Sequence, residues 1–375
     1  MAVTRRPVVD AAAWAPARRL LCVRTDGIGD VVMTAPAIRA LRAAGPGRTV
    51  TVLGSPQGTE AAALLPDVDD VIVCRAPWTG VTDVGDRTDD LAAIHELRAG
   101  RFDAAVIFTV HTQSALPAAT WCRLAGIPRR LAHSRENPYG LLTDWVPEPE
   151  PREPTRHEVV RQLELVAHVG APPAGQVRFV PEVDDLDRAI SSLGAAGLDP
   201  ARRWLAIHPG ASAPSRRYPA ERFAAAADAL VDRGWQVLVT RGPADADVVD
   251  LVLLGMRRAP AVLPPGSTVR DLATVLSLAD VVVTNNTGPA HLAALAGTPV
   301  VDLYALTNLQ HAPWGVPHRL LFHDVPCRGC LRSVCPEGHH LCLRGVEPDA
   351  VVRAVRELVG EPEIPTAPTP ALATT

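Results

Sequence analysis

The sequence predicts an α/β protein made of two similar halves, each a parallel sheet covered by helices. Three observations carry this. Short apolar runs alternate with helix-like stretches from residue 20 onward, the pattern of βαβ units. The alternation is interrupted by a Pro-rich stretch at 147–154 and then begins again. The chain has 375 residues, room for two domains of the usual ~150 residues plus connecting segments. Its 47% hydrophobic and 21% charged residues suit a globular protein rather than a disordered one.

The first half opens with Leu20-Leu21-Cys22-Val23-Arg24, an apolar run of strand length that leads into Thr25-Asp26-Gly27-Ile28-Gly29-Asp30. A helical face follows through Val31, Val32, Ala35, Ile38 and Leu41, and Gly45-Pro46-Gly47 stops it. Thr49-Val50-Thr51-Val52-Leu53 completes a strand, turn, helix, strand unit. Residues 71–73 and 104–108 are further strands, and 89–99 and 114–124 are helices. After the Pro-rich break a helix over 157–169 ends at Gly170 and Pro172-Pro173.

The second half repeats the scheme. Residues 204–208 form a strand and Pro209-Gly210-Ala211-Ser212 a turn, followed by a helix over 220–232 closed by Gly234. A strand over 237–240 precedes Arg241-Gly242-Pro243. A strand over 281–284 runs into Asn285-Asn286-Thr287-Gly288-Pro289, then a helix over 290–296 closed by Gly297, then a strand over 300–304. The join falls near 172–182. This assigns 1–175 to an N-terminal domain, 176–362 to a C-terminal domain, and the Pro/Thr-rich stretch 363–375 to a disordered tail.

Composition narrows the function. With 37 basic and 41 acidic residues the net charge is −4, which offers no electrostatic footprint for a nucleic-acid partner. All 37 basic residues are arginine. No P-loop lysine and no lysine Schiff base can therefore exist, and any phosphate must be met by Arg, His or backbone N–H groups. Residues 1–19 carry Arg5, Arg6, Asp10, Arg18 and Arg19 and read as no signal peptide, and no run of ~18 apolar residues predicts a membrane span. The expected location is the cytoplasm. Trp14, Arg18 and Arg19 either make peripheral contact with the inner membrane surface or belong to a frayed terminus.

In doubly wound sheets ligands bind beyond the carboxyl ends of the strands, so function is expected in the turns. Gly27 and Gly29 let backbone approach a ligand, but without a third glycine they are no dinucleotide fingerprint. Asp30 falls in the first turn of the helix, where the dipole favours the ionised form. It either accepts a proton from a hydroxyl or simply caps the helix. Ser212 and the Ser215-Arg216-Arg217-Tyr218 stretch suit phosphate oxygens, or form an ordinary solvated loop. In Asn286-Thr287-Gly288-Pro289-Ala290-His291, donors at a helix start make an anion site to which His291 adds a charge-assisted bond. The alternative is a capped helix with a core histidine.

Together these turns resemble glycosyltransferase family 9, the ADP-heptose:lipopolysaccharide heptosyltransferase family. The resemblance rests on Arg24 to Asp30, on His208-Pro209-Gly210 and on Asn286 to His291, in that order, and spans residues 21 to about 346. It implies a GT-B fold, two Rossmann-like domains facing across a cleft. It also implies inverting, metal-independent transfer from a nucleotide-diphosphate sugar such as ADP-heptose to a glycan or lipid-linked acceptor, with no cofactor required. By resemblance Asp30 is the catalytic base. Arg216 stands where the family usually offers Lys to the diphosphate, and a guanidinium replaces that point charge with a fork. Asn286, Thr287, Gly288 and His291 match the diphosphate-binding positions, with Asn286 where some members have Asp. Asp245, or else Asp247, matches the nucleoside contact.

The resemblance leaves other readings open: another nucleotide sugar with a secreted glycan or small natural product as acceptor, a non-catalytic sugar-nucleotide-binding protein, or an epimerase on the same fold. Cys327, Cys330, Cys335 and Cys342 crowd into 16 residues with His339 and His340. Four thiolates so spaced close a structural zinc site, pair as two disulfides, or stay reduced.

Overall fold

The computed structural model describes residues 8–79, 87–151 and 155–361; Arg5, Arg6 and the tail from 363 lie outside these residues. Twelve strands form two six-stranded sheets among the described residues, and every ladder in both is parallel. The first sheet takes β1 (Arg19–Arg24), β2 (Thr49–Gly54), β3 (Asp70–Val73), β4 (Ala104–Ile107), β5 (Arg129–Ser134) and β6 (Asp144–Pro147) in the order β3-β2-β1-β4-β5-β6. The second takes β7 (Trp204–His208), β8 (Gln236–Val239), β9 (Ala261–Val262), β10 (Val281–Asn285), β11 (Val300–Leu303) and β12 (His318–Leu321) in the order β12-β11-β10-β7-β8-β9. Strands buried on both faces need continuous apolar runs. The central strands β1, β4, β7 and β10 have them.

The helices over the first half are α1 (Ile28–Ala43), α2 (Pro56–Ala62), α3 (Arg87–Ala99), α4 (Leu116–Leu124) and α5 (Glu158–Ala167). Those of the second are α6 (Val183–Ala195), α7 (Ala220–Val231), α8 (Ala246–Gly255), α9 (Val269–Ser277), α10 (Gly288–Ala296), α11 (Leu341–Arg344) and α12 (Pro348–Leu358). α1 is central to the architecture. Its buried residues run from Val31 to Leu41 with only Arg39 omitted, so it is apolar all round, the mark of a helix enclosed on every side. It packs on α2 and α5, and on α10 from the other half. One core cluster consequently runs through both halves, from Val31 and Ile38 to Leu292 and Leu295.

The N-terminal segment differs from the expectation of a frayed or membrane-touching end. Ala11–Trp14 is a 3₁₀ turn whose Trp14 ring is fully buried, and Arg48 donates to the Trp14 carbonyl at 2.8 Å. An indole sealed in the core has no face left for a lipid surface. Among the described residues no helix is long and apolar enough to cross a membrane.

Candidate active site

β1 ends in Arg24, whose guanidinium is 1% exposed and meets three carboxylates. Nε lies 3.0 Å from Asp26 Oδ2, Nη2 donates to Asp30 Oδ1 at 2.8 Å, and Nη1 donates to Glu158 Oε1 at 3.4 Å. Burial disfavours the Arg24 charge, and the three carboxylates outweigh that and hold it on. Burial likewise pushes the Asp30 carboxyl up. Arg24 beside it reverses the sign, leaving Asp30 below its ordinary range and ionised. Asp26 goes the other way. Burial raises it, and the offset from Arg24 and from the Gln113 amide, which donates to Asp26 Oδ1 at 2.7 Å, is not enough. Asp30 does not cap α1: the N-cap is Gly27, with no side-chain capping bond. Its side chain remains 24% exposed.

Glu158, at the start of α5, is wholly buried and extends this cluster. It also accepts from Arg161 Nη1 at 3.2 Å and Gln162 Nε2 at 2.5 Å. Arg161 continues to Glu148, and Arg156 joins Glu150 and Glu164. The Glu158 N–H donates to the Gln310 carbonyl of the other half at 2.9 Å, and His157 Nε2 pairs with the Ala312 carbonyl at 2.8 Å.

Across from α1 stands the start of α10. A Cβ on Gly29 would fall 2.5 Å from His291 Cδ2, and one on Gly288 would fall 3.2 Å from Ile28 Cβ. The two helix N-termini therefore meet, and glycine is what allows it. Thr287 is the N-cap of α10 but makes no side-chain capping bond, and Pro289 follows in the first turn. The positive end of the helix and its leading donors are left open, which is the chemistry of an anion site. His291 is buried, and burial pushes its pKa down to about 3, so it is neutral at physiological pH. In that state it offers an uncharged N–H. His311, from the segment after β11, is also buried and pushed down to about 4; its field and that of Arg24 both reach Asp30.

Arg216 ends the 3₁₀ turn Pro214–Arg216, and its charge is felt at both His291 and His311. Among the described residues no hydrogen bond or ion pair engages its guanidinium, whereas Arg217 donates to the Ala211 carbonyl at 2.8 Å. Ser212 is exposed and open. The structure thus brings Gly27, Gly29, Asp30, Arg216, Thr287, Gly288 and His291 to one place between the halves.

Two predicted residues, Asn286 and Asp245, are held by hydrogen bonds within the protein. Asn286 spends its amide N–H groups within the protein, on Asp302 Oδ2 at 3.2 Å and the His311 carbonyl at 2.9 Å. Asp245 accepts from Gly242 N–H at 2.8 Å and lies 3.4 Å from His208 Nε2, in a space that a Cβ on Gly210 would occupy at 2.2 Å. The hydrogen bond to His208 holds its carboxyl below the ordinary range. Asp247, two residues on in the first turn of α8, is exposed. His311 and Glu158, in the site, and Asp302, behind Asn286, were missed. Only Asp302 left a local signal: a lone carboxylate inside the apolar run Val300-Val301-Asp302-Leu303.

The four clustered cysteines are free thiols. They border one pocket with His339 and His340, and among the described residues no three His, Cys, Asp or Glu side chains stand close enough to hold a metal ion. Their loop is pinned to the Arg216 segment, where Ser215 N–H donates to the Ser333 carbonyl at 2.9 Å and Ser215 Oγ to the Arg332 carbonyl at 2.6 Å.

A family model described as glycosyltransferase family 9 (heptosyltransferase) matches residues 91–341. The sequence is 25% identical over 363 residues to lipopolysaccharide heptosyltransferase 2 of Escherichia coli K12, covering 92% of this chain and 99% of that protein. The fold matches the glycosyl transferase family 9 structure from Veillonella parvula with a TM-score of 0.78 at 20% identity, over 95% of this chain and 99% of that one. It matches E. coli ADP-heptose lps heptosyltransferase II with a TM-score of 0.73 at 21% identity, over 91% and 98%.

Proposed function

The chain belongs to glycosyltransferase family 9 and has the GT-B fold, and from that premise we propose that it moves a heptose or related sugar from ADP-heptose, or another nucleotide-diphosphate sugar, to a hydroxyl of a cell-envelope glycan such as lipopolysaccharide core. In this reading residues 1–175 form the acceptor side and 176–362 the donor side of the cleft.

The observation that carries the proposal is an ionised carboxylate set opposite an open helix start. Asp30 accepts the proton of the acceptor hydroxyl as that oxygen bonds the anomeric carbon, and the bond from that carbon to the diphosphate breaks on the opposite face, inverting the centre. The departing diphosphate gains negative charge. The open donors of α10, the Thr287 hydroxyl, the neutral His291 N–H and the unengaged Arg216 guanidinium receive it. Charge supplied in this way by the protein supports a metal-independent reaction. Asp245, held beside the loop after β8, is the nucleoside contact.

Transfer from ADP-heptose to truncated lipopolysaccharide cores, measured with and without chelator, tests the reading. Wild type should turn over in both conditions. Asp30→Ala should abolish transfer while ADP still raises the melting midpoint; near-normal turnover by Asp30→Ala refutes the role of the base. A melting screen across nucleotide sugars identifies the donor, because a ligand bound by the native state stabilises it by mass action.

A further inference from the structure

Asp302 has no place in the chemistry above, yet it lies directly beneath the donor turn. It sits on β11 in register with Thr284 of β10, and it is wholly buried. Its Oδ2 accepts from Asn286 Nδ2, and Oδ1 has no hydrogen-bond partner. Among the described residues no cation pairs with it and the Asn286 amide is the one partner felt at the carboxyl, while the phenol of Tyr304 feels the Asp302 charge in turn. The groups around that phenol are the Asn308 carbonyl, the His311 N–H and, through its charge, Arg216.

Asn286 is what makes this location consequential. It immediately precedes Thr287 and Gly288 at the start of α10, and its amide is shared between Asp302 and the His311 carbonyl. Its own N–H reaches the Leu303 carbonyl at 3.4 Å. The donor turn is therefore fastened to β11 and to the His311 segment through one side chain, and Asp302 holds one of its two bonds. A buried carboxyl with no cation is not there for stability, since an unpaired buried charge is costly and an apolar residue of similar size would serve the core better.

We propose that Asp302, as the neutral acid, is a positioning residue for the donor turn, and that losing its proton weakens binding of the nucleotide diphosphate. This rests on the reading of α10 as the diphosphate site. The neutral acid leaves Asn286 balanced between its two acceptors. The ionised form draws the amide more strongly and sets a negative charge under a site that must receive a second anion. Burial pushes the Asp302 carboxyl up to about 8, with the Asn286 bond lowering it only partly, so the change falls in an accessible range. By linkage, a bound diphosphate favours the protonated acid as much as the protonated acid favours the diphosphate.

ADP titrated into the full chain by calorimetry between pH 7 and 9 tests this. For wild type, Kd should weaken toward a limiting slope of tenfold per pH unit above the Asp302 midpoint. Binding enthalpies in buffers of different ionisation heat at pH 8 should show proton uptake. Asp302→Asn keeps the shape and has no proton to lose; its Kd should stay within about twofold across the range, without that uptake. Asp302→Ala should be equally flat, which keeps the test open if the amide packs badly. A flat wild-type profile overturns the proposal, and so does an Asp302→Asn profile that follows wild type. If wild type fails to bind ADP at any pH, the donor assignment itself falls, a result distinct from either.

Discussion

Replacing Gly29 with alanine tests whether the meeting of α1 and α10 is the working geometry. The added Cβ would stand 2.5 Å from His291 Cδ2, against the 3.4–4 Å of ordinary contact, so the ring must retreat by about 1 Å. Overpacking of this kind costs roughly 1–3 kcal/mol. Alanine in place of a helical glycine returns about 0.5–1 kcal/mol. A small cavity bordered by His291, Val32, Met33, Val159 and Trp314 gives the ring somewhere to go. The net loss of stability should therefore be small, about 1 kcal/mol. The rate should suffer more, because a misplacement of about 1 Å in a group that holds the leaving diphosphate costs about 10²-fold, or about 2.7 kcal/mol of barrier. Gly194→Ala is the control. It lies within α6 with nothing within 4 Å of its Cβ, and should gain stability with no change in rate. Thermal unfolding and initial transfer rates read both effects. A folded Gly29→Ala enzyme with the kcat of the control would show that the seat of His291 has no part in transfer, and the reasoning would fail.

Two further outcomes follow from the same geometry. Arg216→Ala removes an unengaged guanidinium, so unfolding should shift by no more than about 0.5 kcal/mol, while the donor KM rises about 10- to 100-fold for one lost charge-assisted bond; an unchanged KM would place the diphosphate elsewhere. Glu158→Ala leaves Arg24 and Arg161 each short of a buried carboxylate, and urea unfolding should show a loss of about 3–5 kcal/mol; a loss below about 1 kcal/mol would mean that the remaining carboxylates satisfy both guanidiniums.

The parts of the fold legible in the sequence are those where one physical demand dominates. Central parallel strands must be apolar on both faces, and β1, β2, β4, β7, β10 and β11 all stand out as apolar runs. Three other strands carry no such run. β5 reads Arg-Arg-Leu-Ala-His-Ser, β6 contains Asp144 and ends in Pro147, and β9 is two residues long, so none announces itself. The site divides the same way. Gly27, Gly29 and the Asn286–Gly288 turn were visible because turns and close backbone approach select small and polar residues. Their partners were not. Glu158 lies in what reads as an ordinary helix start, and His311 in an irregular segment; each reaches Asp30 or Arg24 only through tertiary structure. His208-Pro209-Gly210 was legible as a turn, but the reason for Gly210, room for the Asp245 carboxylate, comes from a residue in the next β-to-α connection.

The burial of α1 on every side has a consequence for the order of synthesis. The chain leaves the ribosome from its N-terminus, and with β6 at Asp144–Pro147 every strand of the first sheet is in place. The face of α1 that α10 covers is not, because α10 begins only at Gly288. Throughout that interval the nascent protein presents the apolar flank of its own future seam to solvent, with no hairpin in either all-parallel sheet to shorten the wait. The surface that ends as the seam of the enzyme is, for the time it takes to make the second half, open to chaperones and to aggregation.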